Sequence, residues 1–284
     1  MSATPHQTRN ITLLSAAQAM LFTNSVTLIA LNGLVGYQLA ADKSFATLPV
    51  TTQVIGSALF ALPASNLMQR IGRRAGFLAG TLAGLIGGAV ATLGVYLQSM
   101  AMLCLGTFIL GIYGAFGQFY RFAAADAAAA NFKAKAISLV VAGGLVGGII
   151  GPALSKWTRH LAPTEFLASY ASLMVFCLFT ALILSLLRMP EIKAGAASDP
   201  PRPLRTIALQ PVFVVAVISS AFGYGIMNLL MTATPLAMGL CGHPYGDAAN
   251  VISAHVIAMF APSFFTGSLI QRFGVLKIML AGVA

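Results

Sequence analysis

The chain has 284 residues, of which 58% are hydrophobic and 8% charged, against roughly 25% charged in an average soluble domain. That ratio excludes disorder, which needs low hydrophobicity and high charge, and leaves too few charged side chains to cover a soluble globule of this size. A mean hydropathy of +0.88 and 28 glycines point to a polytopic membrane protein. The net charge is +10, but the Lys and Arg residues stand singly or in pairs between apolar runs. They do not form the clustered face that a nucleic-acid partner requires. The three cysteines, Cys104, Cys177 and Cys241, have no disulfide or metal-ligand spacing and read as small buried hydrophobes.

In chain order, a short polar tail, residues 1–10, precedes the first apolar run. A membrane span needs about 20 apolar residues to cross about 30 Å of hydrocarbon. Runs of that kind cover Ile11–Leu39, Leu48–Leu67, Ala75–Leu97, Ala101–Phe122, Ala136–Leu154 and Phe166–Leu187. After a proline-rich, charged segment at 188–211 come Val212–Met238 and Ala248–Gly267. None alternates polar and apolar residues as a barrel strand would, so all are expected to be helices. The expected organisation is a tail at 1–10, a six-helix bundle at 11–187, a cytoplasmic loop at 188–211 and an incomplete second bundle at 212–284.

Charge placement tests the topology. With the N-terminus inside, twelve of the Lys and Arg residues fall in inside segments. Three, Lys43, Lys156 and Arg159, fall outside, and Arg121 lies within a span. The positive-inside rule is met, so the basic charge is an orientation signal that puts the N-terminus in the cytoplasm.

A shift of 202 residues lays Ser65-Asn-Leu-Met-Gln-Arg-Ile-Gly72 on Gly267-Ser-Leu-Ile-Gln-Arg-Phe-Gly274, at the end of the second span of each half. Two homologous halves related by a parallel repeat are a known transporter plan. On that plan Ala284 corresponds to Leu82, early in a third helix. A complete second half would need roughly 105 further residues with three more spans.

The segment Gln69-Arg70-Ile71-Gly72-Arg73-Arg74 resembles the signature of the major facilitator superfamily between helices 2 and 3. Gln271-Arg272-Phe273-Gly274 resembles its degenerate second copy. The resemblance implies an all-α membrane protein of the major facilitator fold, with a complete N-terminal six-helix bundle and the start of the C-terminal one. It also implies that Arg73 pairs with Asp126 at the end of helix 4, and that the motif acts as a cytoplasmic lock. Gln69 and Gln271 stand where the family has an acid, which removes a charge from that relay. Physically, Arg70 complements the carbonyl end of its helix, Gly72 permits the turn, and Arg74 meets an anionic leaflet. In helix 5, Gly143, Gly147, Gly151 and Pro152 are spaced for close helix packing. Gly147-x-x-x-Gly151-Pro152 resembles the family's antiporter motif and favours export.

Arg121 is the one charge inside an apolar span, and an intramembrane charge is expected to face a cavity or a partner. Gln118, three residues earlier, shares its face if the helix is continuous. Asn24 and Gln53 from the first half, and Tyr224, Asn228 and His255 from the second, are the other polar residues placed mid-span for a substrate site. His255 is also the candidate carrier of a coupling proton.

No phosphate-binding loop, nucleophile elbow, zinc-protease motif or paired carboxylates occur in the sequence, so no catalytic residue, metal or cofactor is expected. The reading is a secondary active transporter of a small solute, proton-coupled, monomeric when complete, in a bacterial inner membrane. A non-transporting sensor, a permease subunit and a non-functional fragment are the alternatives.

Overall fold

The computed structural model describes residues 5–129, 132–189 and 203–282. Among them the regular structure is helical: α1 (Pro5–Leu39), α2 (Leu48–Ile71), α3 (Arg73–Tyr96), α4 (Met100–Gly117), α5 (Tyr120–Ala127), α6 (Lys133–Thr158), α7 (Leu167–Ser185), α8 (Leu204–Ala208), α9 (Pro211–Leu240), α10 (Tyr245–Phe260), α11 (Ser263–Phe273) and α12 (Val275–Ala281). Eight stretches are long and apolar enough to cross a membrane. The fold is that of an all-α polytopic membrane protein.

Most helices overrun the apolar runs that foretold them, by up to two turns. Backbone hydrogen bonds continue past the hydrophobic boundary, and polar terminal residues such as Arg9 and Arg70 reach water. Two runs break instead. The fourth ends at Gly117 and restarts at Tyr120 after a turn. The eighth breaks at Ala261–Pro262, where proline has no N–H to continue the ladder.

α1 lies at the centre, against α6 and α7, while α3 packs on α4 and α7, and α2 on α4. α10 docks on α6 and α9 on α1. Hydrogen bonds between helices stitch the first six spans together: Thr52 to Thr107 at 2.8 Å and Tyr113 to Thr180 at 3.2 Å. In a bilayer such bonds contribute about 0.6 kcal/mol each, so close packing has to supply the rest.

The glycines of α6 supply it on two faces. A Cβ on Gly143, Gly147 or Gly151 would meet the backbone of α1 at Ser15, Thr23 and Thr27 in turn. The contacts rise together along both chains, so α1 and α6 run in parallel. Gly144 and Gly148 instead face Phe260 and Val256 of α10, in reversed order, so that pair is antiparallel. These glycines let three helix backbones approach one another, and Pro152 sits within the same helix.

The repeat is visible in the backbone itself. Gly72 has φ 85°, ψ 158°, and Gly274 has φ 86°, ψ 155°. Nothing lies within 4 Å of a Cβ at either position. The positive φ, not space, demands glycine there.

The reading of the cysteines needs correction. Cys177 is buried, but Cys104 is only partly so and Cys241 is exposed. Cys241 caps the end of α9, so it escapes burial by position. The segment 190–202, most of the expected central loop, lies outside the described residues, as does the side chain of Gln271.

Replacing Gly147 with Val should lower stability by about 1–3 kcal/mol, the usual range for overpacking, because a Cβ there lies 2.6 Å from Thr23 N. Gly225→Ala, where a Cβ meets nothing within 4 Å, should leave the thermal midpoint in detergent unchanged or slightly raised. Equal midpoints for the two variants would contradict the packing account.

Candidate functional site

A cavity of about 320 Å³ lies between α1, α2 and α4 on one side and α9 and α10 on the other. This is near the lower end of the range for pockets that hold drug-sized ligands. α1 contributes Leu21, Phe22, Ser25, Val26 and Ile29, a stripe at helical spacing. α2 contributes Gln53 and Ser57, and Gln118 lies at the end of α4. From α9 come Tyr224, Met227, Asn228 and Met231, and from α10 Val256 and Met259. No charged side chain lines it among the described residues. Three methionines, a phenylalanine and a tyrosine provide polarizable, adaptable walls, and amides and hydroxyls provide a few polar contacts.

Four of the residues singled out from sequence therefore meet at one cavity: Gln53, Gln118, Tyr224 and Asn228. Asn228 donates back to the Tyr224 carbonyl at 3.1 Å. Asn24, Arg121 and His255 lie elsewhere. Asn24 is 2% exposed and donates to the Leu173 carbonyl at 3.2 Å and to Cys177 Sγ at 3.3 Å. At 3.6 residues per turn it stands about 130° around α1 from the cavity stripe. Arg121 belongs to α5, beyond the break after Gly117. The break cancels the shared face with Gln118 that a continuous helix would give. Arg121 is exposed, with its guanidinium 5.0 Å from the Phe122 ring centre. His255 is half-buried on α10, one position from the cavity-lining Val256.

At the end of the bundle that carries the arginine motif, Arg73 Nη2 donates to Asp126 Oδ2 at 2.8 Å. Gln69 lines the same hollow, with Ser65 and Phe119. Arg73 Nε is buried without a partner among the described residues. The unpaired nitrogen sits in the hollow where Gln69 replaces the family's acid. The side chains of the pair are 18% and 51% exposed, so the bridge is solvent-screened and worth little to stability by itself. Gln69, Arg70 and Arg74 are exposed, as are Arg272 and Gly274 at the second copy.

The opposite end holds a second cluster, which the sequence reading missed. Ser155 Oγ and Tyr245 Oη are 2.6 Å apart, joining α6 to α10. Arg159 lies 5.0 Å from the Tyr245 ring centre and 5.2 Å from that of Phe166, and its Nε reaches Glu165 at 2.5 Å. Gln38 donates to the other Glu165 oxygen at 3.0 Å. Phe166 holds φ at 64°, a conformation costing about 1–2 kcal/mol for a residue with a Cβ, while its ring packs 5.4 Å from that of Tyr245. Ser155, four residues beyond Gly151, supplies a hydroxyl to this cluster. No sequence signal marked Tyr245. Met227 and Met231 were detectable, because with Tyr224 and Asn228 they complete a stripe at i, i+3, i+4 and i+7.

A helical membrane protein with a central cavity, an arginine motif at one end and an aromatic cluster at the other has the layout of a transporter. The profile of the Major Facilitator Superfamily matches residues 13–284, and the chain belongs to that superfamily. It is 43% identical over 278 residues to the riboflavin transporter RfnT of Brucella anthropi, covering 97% of this chain and 70% of that one. It is 28% identical to the uncharacterized MFS-type transporter YddS of Bacillus subtilis, covering 90% of this chain and 62% of that one. Among solved structures, a bacterial homolog of the human lysosomal transporter Spinster, inward-facing and unoccupied, superposes with a TM-score of 0.66 at 17% identity, over 96% of this chain and 64% of that chain. The chain thus spans less than two thirds of the length of the YddS and Spinster-type proteins.

Tyr245→Phe removes the hydroxyl that joins α6 to α10. In a background whose native cysteines are replaced by alanine, it should raise the labelling rate of a cysteine at Met231 by a membrane-impermeant maleimide several-fold. An unchanged rate would show that this contact does not seal the cavity.

Proposed function

We propose that the protein moves riboflavin, or a flat uncharged heteroaromatic solute close to it, across the membrane by alternating access. The observation that carries this is the cavity. Among the described residues it has no charged lining, its walls are aliphatic, methionine and aromatic side chains, and its polar groups are amides and hydroxyls. Riboflavin has matching chemistry: an uncharged fused-ring system with a carbonyl edge and a polyol chain. The identity to RfnT supports the same substrate class.

In this proposal Gln53, Gln118, Tyr224 and Asn228 contact the solute. The Arg73–Asp126 pair locks the cytoplasmic end, and the Ser155, Arg159, Phe166 and Tyr245 cluster closes the outer end. The two ends release in turn as one group of helices rocks against the other. The placement of basic residues supports a cytoplasmic N-terminus, and we assign the protein to a bacterial inner membrane. A proton gradient is the assigned driving force, with half-buried His255, one position from the cavity-lining Val256, as the candidate proton carrier. The direction of net flux follows from the gradients. The packing of Gly147 and Gly151 on α1 accounts for those glycines without invoking export.

Riboflavin binding is measured by quenching of its own fluorescence on the purified protein, and flux by its movement in proteoliposomes with and without a pH gradient. Tyr224→Ala and Gln118→Ala should each weaken binding about five- to tenfold, the effect of losing one ordinary contact. Arg121→Ala should leave affinity within about twofold, as expected of a surface substitution away from the site. A wild-type protein that neither binds nor moves riboflavin would overturn the substrate assignment.

A further inference from the structure

Gln53 reaches the cavity at the end of a buried chain of hydrogen bonds, and that chain fixes which end of its amide faces the solute. Tyr170 Oη on α7 donates to Asn32 Oδ1 on α1 at 2.7 Å. Asn32 Nδ2 donates to Gln53 Oε1 on α2 at 3.0 Å. Tyr170 and Asn32 are both 0% exposed.

Amide ends are assigned from their partners, and here the partners leave one solution. The Tyr170 hydroxyl has one proton and, among the described residues, no acceptor besides Asn32. A buried hydroxyl proton without an acceptor is costly, so Asn32 turns its oxygen toward Tyr170. Its NH2 then faces Gln53 and takes the Gln53 oxygen. The Gln53 nitrogen has no hydrogen bond among the described residues and is not buried, while its side chain lines the cavity.

We infer that Gln53 is a dedicated hydrogen-bond donor to the transported solute, pinned in that polarity by Asn32 and Tyr170 as positioning residues. It selects a solute with an acceptor, a ring carbonyl or an unprotonated ring nitrogen, at the edge that meets α2, and rejects one with an N–H there. A site built to bond one polarity rejects the other because a buried group is left unpaired. The inference rests on the flavin reading for the identity of the acceptor, but the amide polarity is independent of it.

Two isosteric variants test the donor with riboflavin as probe. Gln53→Met, which has no donor, should bind about five- to tenfold more weakly at every pH. Gln53→Glu should bind more weakly still near pH 8, where the carboxylate offers only acceptors. As the pH falls toward about 5, protonation supplies an O–H donor, and its affinity, taken relative to the wild type at each pH, should recover past that of Gln53→Met. A Gln53→Glu protein that matches the wild type at pH 8, or shows no acid recovery, would overturn the proposal.

A second measurement needs no solute. In protein labelled with 15N-glutamine, the Gln53 side-chain NH2, assigned by its loss in Gln53→Met, should exchange with water rapidly. In Tyr170→Phe, where Asn32 is free to turn over, that exchange should slow. A Gln53 NH2 protected from water in the wild type would refute the assignment. Rapid exchange together with no riboflavin binding would keep the donor and discard the flavin.

Discussion

The arrangement depends on how closely α6 lets its neighbours approach. One glycine face of this helix meets the backbone of α1, and the adjacent face meets Val256 and Phe260 of α10. In lipid there is no hydrophobic drive to hold helices together, so shape has to do it. With side chains at those positions, α1 and α10 could not both lie against α6. The cavity they enclose with α2, α4 and α9 would then have different walls.

Polarity is distributed in this frame with a consistent logic. Charges sit at the two ends, as Arg73 with Asp126 and Arg159 with Glu165. The middle carries amides and hydroxyls, several joined in short chains between helices, while Asn24 Oδ1 is buried without a partner among the described residues. In the proposed cycle the ends are pairings that form and break next to water, where their loss is tolerable. The central chain from Tyr170 to Gln53 is held inside the first six spans and need not break when the ends exchange. The Gln69 substitution fits this division. Among the described residues it leaves Arg73 one charged partner, Asp126, and a buried, unpaired Nε, so the proposed lock at that end would depend on a single ion pair.

Legibility differed by level. Span number, helical state and the arginine turn could be read from the linear sequence, because bilayer thickness and backbone satisfaction act locally. Gly72 and Gly274 share one backbone conformation, as their 202-residue relation implies. Residue roles at the site were legible only where the helix was continuous and its facing was settled by neighbours. Gln53, Gln118, Tyr224 and Asn228 meet at the cavity. Asn24 shares the depth of the site but turns toward α7, and a depth estimate contains no facing. Arg121 followed Gln118 at helical spacing, but the turn after Gly117 moved it to another helix.

The sequence by itself determined that this stretch of chain carries eight candidate membrane spans and a repeated arginine-glycine turn, since those features are set by composition and by contacts a few residues apart. Only the tertiary structure decided which polar residues share a cavity, that Tyr245 bonds Ser155 and packs beside Arg159, and that Gln53 turns its nitrogen outward. The last two depend on partners 21 to 138 residues away in the chain, and the direction of a hydrogen bond is fixed only when every partner of a buried group is in place.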